Sequence, residues 1–147
     1  MLKDKMTLVI NSCDKFSDLW DEHVRILNEN WPDREVETLL VTDRPTDRKL
    51  ERVRIFSAGE GKEYPQRMAA VLPEIRTEYV LITLDDYFPI NKIYNDRLER
   101  LIGIMDAEGI DYLRLFSDPN SHKRFKDYKG LYEIPLDVNY AVNLYQG

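Results

Sequence analysis

With 147 residues, 43% hydrophobic and 33% charged, the chain is long enough for one domain with a buried core and is not typical of a disordered protein. Asp and Glu (27) outnumber Lys and Arg (21), and the formal net charge of -6 gives no general reason to expect a nucleic-acid partner. No apolar run reaches the roughly 18 residues that a membrane-spanning helix needs, so no transmembrane segment is predicted.

The first half of the chain shows patterns of three strands and one helix. Met6–Asn11 is a short apolar run with polar neighbours, which predicts a strand buried on both faces. Beyond it, apolar residues recur every three or four positions, which predicts a helix with Ser17 as N-cap and an end at Pro32. This apolar stripe consists of Phe16, Leu19, Trp20, His23, Val24, Leu27 and Trp31. Residues 36–42 and 53–57 are predicted to form the second and third strands.

The second half repeats the alternation of helix and strand. Pro65 suits the first turn of a helix, whose predicted apolar side consists of Met68, Ala69 and Leu72. Tyr79–Leu84 is the most apolar predicted strand. A second long helix is predicted between a cap at Asn95 and an end at Gly109, and a fifth strand at residues 112–116.

The order of these elements is typical of an α/β protein with a mostly parallel, open sheet flanked by helices on both faces. We expect a single domain over residues 1–147, with an ordered core at 1–116. Residues 117–147 are expected to form a polar, partly basic loop and partial strands at 131–136 and 138–145. Because the chain stops without a closing helix, we expect it to be a piece of a larger protein.

Two acids, Asp85 and Asp86, directly follow the most apolar predicted strand. Ligands of parallel sheets collect beyond the carboxyl ends of the strands, and acids also follow the first two strands, at Asp14 and Asp43. Neighbouring carboxylates repel each other. A divalent cation such as Mg²⁺ or Mn²⁺ relieves this repulsion, while phosphate oxygens and water complete its coordination. The alternative is that the acidic pair simply begins a solvated turn.

Four segments carry a resemblance to a known family: MTLVINSCDKFSDLW around the first strand, VTDRP after the second, YPQRMAAVL in the following helix, and VLITLDDYF at the acidic pair. In this order and spacing they resemble the GT-A-type glycosyltransferases, specifically the bacterial polysaccharide-type enzymes, whose fourth strand ends in an acidic DxD-like motif. The resemblance covers residues 6–116. It implies a Rossmann-like fold that binds a nucleotide-diphosphate sugar.

The resemblance also implies roles for individual residues. It implies contacts to the nucleotide base from Ser12, Cys13, Asp14 and Asp43. Asp85 is expected to reach the ribose, Asp86 to ligate Mg²⁺ or Mn²⁺, and Arg67 to brace the acidic pair or the diphosphate. The charges agree with this assignment, because acids alone would repel a diphosphate, whereas a cation and a guanidinium attract it.

The same resemblance implies sugar transfer in the assembly of bacterial surface polysaccharides, with a saccharide or a lipid-linked saccharide as acceptor. In the family, the carboxylate that serves as base and the acceptor-binding elements normally follow the point where this chain ends. Residues 117–147 contain no convincing candidate for that base. No catalytic residue is therefore assigned, and we expect a donor site with an incomplete catalytic apparatus.

Two other classes of protein fit a chain of this size. A receiver-like phosphoacceptor domain is also α/β and acid-rich, but it carries paired acids after the first strand, where this chain has Asn11-Ser12-Cys13-Asp14. A non-catalytic α/β interaction module would keep the fold without a ligand site. The glycine-containing turn at residues 59–62 lacks the spacing of a phosphate-binding loop, and we expect it to be a mobile loop near the donor site.

The histidines and the cysteine have simpler expected roles. His23 is expected to pack on the apolar stripe of the first long helix, together with Trp20 and Trp31. His122 and the basic residues around it are expected to be solvated; those residues are Lys123, Arg124, Lys126 and Lys129. An acceptor phosphate or an anionic membrane surface is the alternative partner of this cluster. Cys13, the only cysteine, excludes an internal disulfide and is expected to line the base pocket rather than to act as a nucleophile.

The N-terminal residues have a short apolar core with no small-residue cleavage site after it, so no secretory leader is predicted. Together with the single cysteine, this predicts a cytoplasmic protein. The basic residues around His122 also suggest that such a cytoplasmic protein could associate peripherally with the inner face of the membrane.

Overall fold

The computed structural model describes residues 1–116 and 121–134. The chain divides into two compact units, Met1–Glu108 and Gly109–Gly147. All helices and strands of the described residues lie in the first unit. Within the described residues, no helix combines the length and the apolar character that crossing a membrane requires.

A four-stranded, fully parallel sheet forms the centre of the first unit. Its strands are β1 (Met6–Asn11), β2 (Thr38–Thr42), β3 (Arg54–Ser57) and β4 (Tyr79–Leu84). They lie in the order β3-β2-β1-β4, so β4 is an edge strand that pairs only with β1 among the described residues. This confirms the predicted α/β class, in a Rossmann-like arrangement. The predicted bounds of β1 and β4 are the observed ones, and those of β2 and β3 began slightly too early.

Four α-helices accompany the sheet: α1 (Leu2–Lys5), α2 (Trp20–Asn30), α3 (Tyr64–Val71) and α4 (Asn95–Glu108). A 3-10 helix over Asp14–Leu19 precedes α2, so the prediction of Ser17 as N-cap was wrong. The physical reason is that the 3-10 helix already includes Ser17 and is interrupted by a kink at Phe16 (φ -106°, ψ 20°), so the α-helix begins only at Trp20, with Leu19 as its N-cap. Gly109 follows α4 as predicted, with a φ of 64° in the left-handed region that glycine adopts without strain.

Different helices cover the two faces of the sheet, which explains why the central strands carry apolar residues that point to both faces. On one face, α2 and α4 pack on the sheet in a cluster that includes Leu8, Ile10, Trp20, Leu27, Trp31, Leu40 and Ile102. On the other face, α3 packs through a cluster that includes Val9, Leu39, Val41, Met68 and Val71. Both β1 and β2 are buried along their whole length as a result.

The apolar side of α3 differs from the prediction, which placed Met68, Ala69 and Leu72 there. The buried residues of this helix are Met68 and Val71. Ala69 is exposed, and Leu72 exposes 56% of its surface. The prediction was right for Met68 and wrong for Ala69 and Leu72. Leu72 lies outside the helix because α3 ends at Val71 and a 3-10 turn over Leu72–Glu74 follows, and within the helix Val71 takes the buried position in place of Ala69.

The second unit contains no helix or extended strand within residues 109–116 and 121–134. The strand predicted at 112–116 is therefore wrong: its apolar side chains Tyr112, Leu115 and Phe116 are exposed instead of covering a sheet. Only a single antiparallel bridge, between Arg124 and Tyr132, occurs near the strand predicted at 131–136. Residues 135–136 and the strand predicted at 138–145 lie outside the described residues.

Candidate functional site

The order of the strands reverses at β1. The next two strands in the sequence, β2 and β3, are added on one side of β1, and β4 is added on the other. In open parallel sheets such a reversal creates a crevice at the carboxyl ends of the two strands beside it, and ligands bind there. These ends carry Asn11 and Ser12 after β1, and Asp85 and Asp86 after β4. The Asp85 backbone N–H donates to the carbonyl oxygen of Asn11 over 3.2 Å and joins the two ends.

The turn after β4, residues 84–87, is called the acidic turn below. It is closed by the backbone N–H of Tyr87, which donates to the carbonyl oxygen of Leu84 over 3.1 Å. The hydroxyl of Ser12 donates to Oδ2 of Asp85, and only 8% of Asp85 is exposed. The Asp85 carboxylate is therefore buried where the carboxyl ends of β1 and β4 meet.

Helix α2 contributes two nitrogen donors to the same region. Nε1–H of Trp20 donates to Oγ of Ser12 over 2.7 Å, and Nδ1 of His23 lies 2.9 Å from the carbonyl oxygen of Asp85 and donates to it. Both side chains are buried. The sequence analysis assigned them to packing alone. Their three-residue spacing, on the helix that follows β1, puts them on one side of that helix, but no local pattern connects either of them with β4.

Asp86 is the exposed acid of the acidic turn, and its carboxylate forms no hydrogen bond or ion pair with any described residue. Within residues 1–116 and 121–134, no group of three His, Cys, Asp or Glu side chains could hold a metal ion. A cation at Asp86 would therefore depend on phosphate oxygens and water for its other ligands. Mg²⁺ is commonly bound in this way together with a phosphorylated substrate.

The end of β2 and the loop after β1 form a second group of polar residues at the same edge of the sheet. Oδ1 of Asp43 accepts hydrogen bonds from the backbone N–H of Asp14 over 2.6 Å and from the Thr42 hydroxyl over 3.3 Å. The Asp14 N–H is the main reason why the pKa of Asp43 lies below its ordinary value. Asp43 is therefore an ionised acceptor at neutral pH. The exposed Arg44 lies 3.8 Å from the Asp14 carboxylate and 3.2 Å from Glu60.

Arg67, on α3, brings positive charge to the end of β1. Its Nε–H donates to Oδ1 of Asn11 over 3.3 Å, and Nη1–H donates to the carbonyl oxygen of Lys62 over 2.7 Å. In the described part of the chain, Arg67 makes no ion pair with Asp85 or Asp86. The guanidinium therefore stands at the β1 side of the crevice and leaves Asp86 unpaired.

The turn at residues 59–62 follows β3 and leads into α3. Gly59 and Gly61 have φ values of 99° and 73°, which only glycine adopts readily. The Lys62 ammonium donates to the carbonyl oxygen of Ala58, so its charge is used inside the turn. Cys13 lies on the loop after β1 as a half-buried free thiol.

His23 makes the stability of the protein depend on pH. Burial lowers the pKa of His23 below its ordinary value of 6.5 and outweighs the opposite effect of Asp85 and Asp86; Arg34 adds to the lowering. Below pH 6.5 the unfolded chain binds this proton more readily than the folded chain, so acid favours unfolding. We expect the melting temperature to fall as the pH decreases through this range.

The control for this prediction is His23→Asn, which keeps a nitrogen donor and cannot titrate. Its melting temperature should decrease less with acid than that of the parent protein, whereas His122→Asn should behave as the parent does. An equal pH dependence in the parent and in His23→Asn would contradict the prediction.

Six of the residues that the sequence analysis proposed for the site follow strand ends at one edge of the sheet: Ser12, Cys13, Asp14, Asp43, Asp85 and Asp86. Arg67 reaches the same edge from α3 through Asn11. Trp20 and His23, which the sequence analysis did not assign to the site, contact it from α2. No family model, no curated protein and no solved structure matches this chain, so its function is inferred from these residues themselves.

Proposed function

We propose that the chain binds a nucleotide-diphosphate sugar together with Mg²⁺ or Mn²⁺ at the carboxyl edge of its sheet, as the donor site of a GT-A-type glycosyltransferase. The observation that carries the proposal is the meeting of Asp85 with Ser12 where the strand order reverses, with the unpaired Asp86 next to it. Nucleotides bind at this position in many open parallel sheets. The resemblance of residues 6–116 supports the same assignment.

In this proposal each part of the crevice holds one part of the donor. Asp86 ligates the cation, which supplies positive charge to the leaving diphosphate when it is bound. Asp85, whose orientation is fixed by Ser12, faces the ribose. Arg67 offers its guanidinium to phosphate oxygens, because one planar group can donate two parallel hydrogen bonds to a phosphate.

The nucleotide base is assigned to Asp43 and to the loop at residues 12–14. Because the Asp14 N–H holds the pKa of Asp43 low, the carboxylate accepts hydrogen bonds and does not donate them. This chemistry suits a base that presents an N–H group, on the ring as in uracil, thymine and guanine, or on an exocyclic amine as in adenine and cytosine. The acceptor of the sugar is a saccharide or a lipid-linked saccharide. From the resemblance we infer that the transfer serves the assembly of surface polysaccharides at the cytoplasmic face of a bacterial membrane.

The experiment that tests this proposal is a thermal-shift panel. Each diphosphate of uridine, thymidine, guanosine, adenosine and cytidine is added to the protein with Mn²⁺, without metal, and with Mn²⁺ plus a chelator. A ligand at about 100 times its Kd adds about 2.7 kcal/mol to the stability of the native state, which raises the melting temperature by several degrees. We expect this rise for at least one of the nucleoside diphosphates, and only when Mn²⁺ is present with it.

The panel also separates the alternatives. A receiver-like domain would be phosphorylated by a small phosphodonor with Mg²⁺, and the nucleotides would not change its melting temperature. A non-catalytic interaction module would respond to neither treatment. Absence of a shift with every nucleotide and metal combination would overturn the proposed function.

A further inference from the structure

We propose that Trp20 and His23 are positioning residues that hold the acidic turn in the geometry its ligand requires, in addition to filling the core. This inference rests on the proposed function, because it assigns a ligand to Asp86. Its own basis is a set of hydrogen bonds between α2 and the two strand ends of the crevice.

The first connection runs from Trp20 to the side chain of Asp85. Nε1–H of Trp20 donates to Oγ of Ser12 over 2.7 Å, and the hydroxyl of Ser12 in turn donates to Oδ2 of Asp85. All three residues are buried. The indole orients the hydroxyl, because an oxygen that accepts the indole N–H directs its own proton elsewhere, here to the carboxylate.

The second connection runs from His23 to the main chain of Asp85. The carbonyl oxygen can only accept, so Nδ1 of His23 carries the proton of this hydrogen bond. The other ring nitrogen, Nε2, is buried and has no partner among the described residues. The ring also contacts Phe88, with 5.7 Å between the ring centroids. A leucine would fill the same apolar stripe without burying an unpaired nitrogen, so the donor at Nδ1 is the distinguishing contribution of histidine.

Together the two connections fix Asp85 through both its carboxylate and its carbonyl group. Asp86 is the next residue, and its backbone position follows from that of Asp85, while its own carboxylate stays exposed and unpaired among the described residues. A ligand residue whose backbone is held in advance loses less conformational freedom on binding. Helix α2 thereby presents Asp86 to a cation without touching it.

The two tryptophans of the chain provide a matched test. Both are buried, and each donates one indole hydrogen bond over 2.7 Å: Trp20 to Ser12 at the site, and Trp31 to Asn95 at the start of α4. Trp20→Phe and Trp31→Phe therefore remove the same kind of contact. We expect the Kd of UDP in the presence of Mn²⁺ to rise roughly five- to tenfold in Trp20→Phe, and to stay unchanged in Trp31→Phe.

His23 provides the second pair of variants. His23→Leu removes the donor to Asp85 and should raise the same Kd about tenfold, whereas His23→Asn retains a nitrogen donor near the position of Nδ1 and should restore most of the affinity. A role in packing alone would give the opposite order, because leucine suits the apolar stripe better than asparagine does.

Hydrogen exchange of the ligand-free protein makes the inference testable apart from the proposed function. In Trp20→Phe and His23→Leu, the backbone amides of Asp85 and Tyr87 should exchange faster relative to those of Leu39 and Leu40 in β2, and in Trp31→Phe this ratio should stay at the parent value. If the parent protein binds no nucleotide, the proposed function fails, and the exchange ratios still decide whether α2 holds the turn. If the parent binds UDP and Mn²⁺ while Trp20→Phe and Trp31→Phe bind equally well, the positioning role is overturned.

Discussion

Asp86→Asn should weaken the binding of UDP in the presence of Mn²⁺ by about a hundredfold or more, because even the outer-shell partners of metal ligands are worth about 10- to 100-fold in affinity. The change replaces a charged oxygen ligand with a neutral amide at the one unpaired acid of the acidic turn. In the ligand-free protein the side chain is exposed, so the free energy of unfolding should change by less than about 0.5 kcal/mol. Titration calorimetry with and without Mn²⁺ measures the first effect, and thermal melting the second.

Asp96→Asn is the matched control, since it makes the same chemical change at another exposed acid, in the first turn of α4. Its affinity for UDP with Mn²⁺ should equal that of the parent. In the metal-free titration Asp86→Asn should bind UDP no more weakly than the parent, because without the cation this carboxylate only repels the diphosphate. If Asp86→Asn keeps the parent affinity in the presence of Mn²⁺, Asp86 is not a ligand of the cation.

Leu40→Ala should lower the free energy of unfolding by about 3 kcal/mol, within the range of roughly 2–5 kcal/mol found when buried leucines are truncated. Leu40 is fully buried in β2, in register with Ile10 of β1 and Ile55 of β3, and belongs to the cluster under α2. The sheet is held from both faces, so it cannot collapse easily into the space that the missing atoms leave. Urea unfolding followed by tryptophan fluorescence measures the loss, because Trp20 and Trp31 lie in the same cluster.

Leu72→Ala is the control for this prediction. The substitution is the same, but Leu72 lies in the exposed 3-10 turn after α3, and its loss should cost less than about 0.5 kcal/mol. The slope of free energy against urea should be unchanged in both variants if each leaves the native and unfolded states equally compact. Equal losses in the two variants would show that the core under α2 does not dominate the stability of the first unit.

The class of the fold was predictable because burial on two faces leaves a local signature. β1, β2 and β4 are short apolar runs between polar residues, and this pattern located all three. The strand predicted at 112–116 has a similar composition, yet a strand needs a neighbouring strand to bond its backbone, and no local pattern encodes that neighbour. Ser17 likewise has a side chain suited to an N-cap, but it lies inside the 3-10 helix that begins at Asp14, and α2 starts only at Trp20.

For the site, the sequence could identify which residues follow strand ends but not which ends are neighbours. The order β3-β2-β1-β4 decides that Ser12 meets Asp85 across a separation of 73 residues, and this order depends on how the whole sheet assembles. Trp20 and His23 were missed for this reason. An indole and an imidazole on an apolar stripe are indistinguishable from core residues until β4 is placed beside β1.

The two groups of polar residues at the sheet edge depend on different stretches of the chain. The bond between Asp14 and Asp43 requires only β1 and β2, whereas the acidic turn joins Ser12 only after β4 has paired with β1. During synthesis from the N-terminus, the Asp14–Asp43 group would therefore form before the acidic turn joins Ser12. In the proposed function, nucleotide and cation bound together would hold β4 on the sheet. The concentration of these ligands would then determine how often β4 detaches and how long the folded protein survives proteolysis.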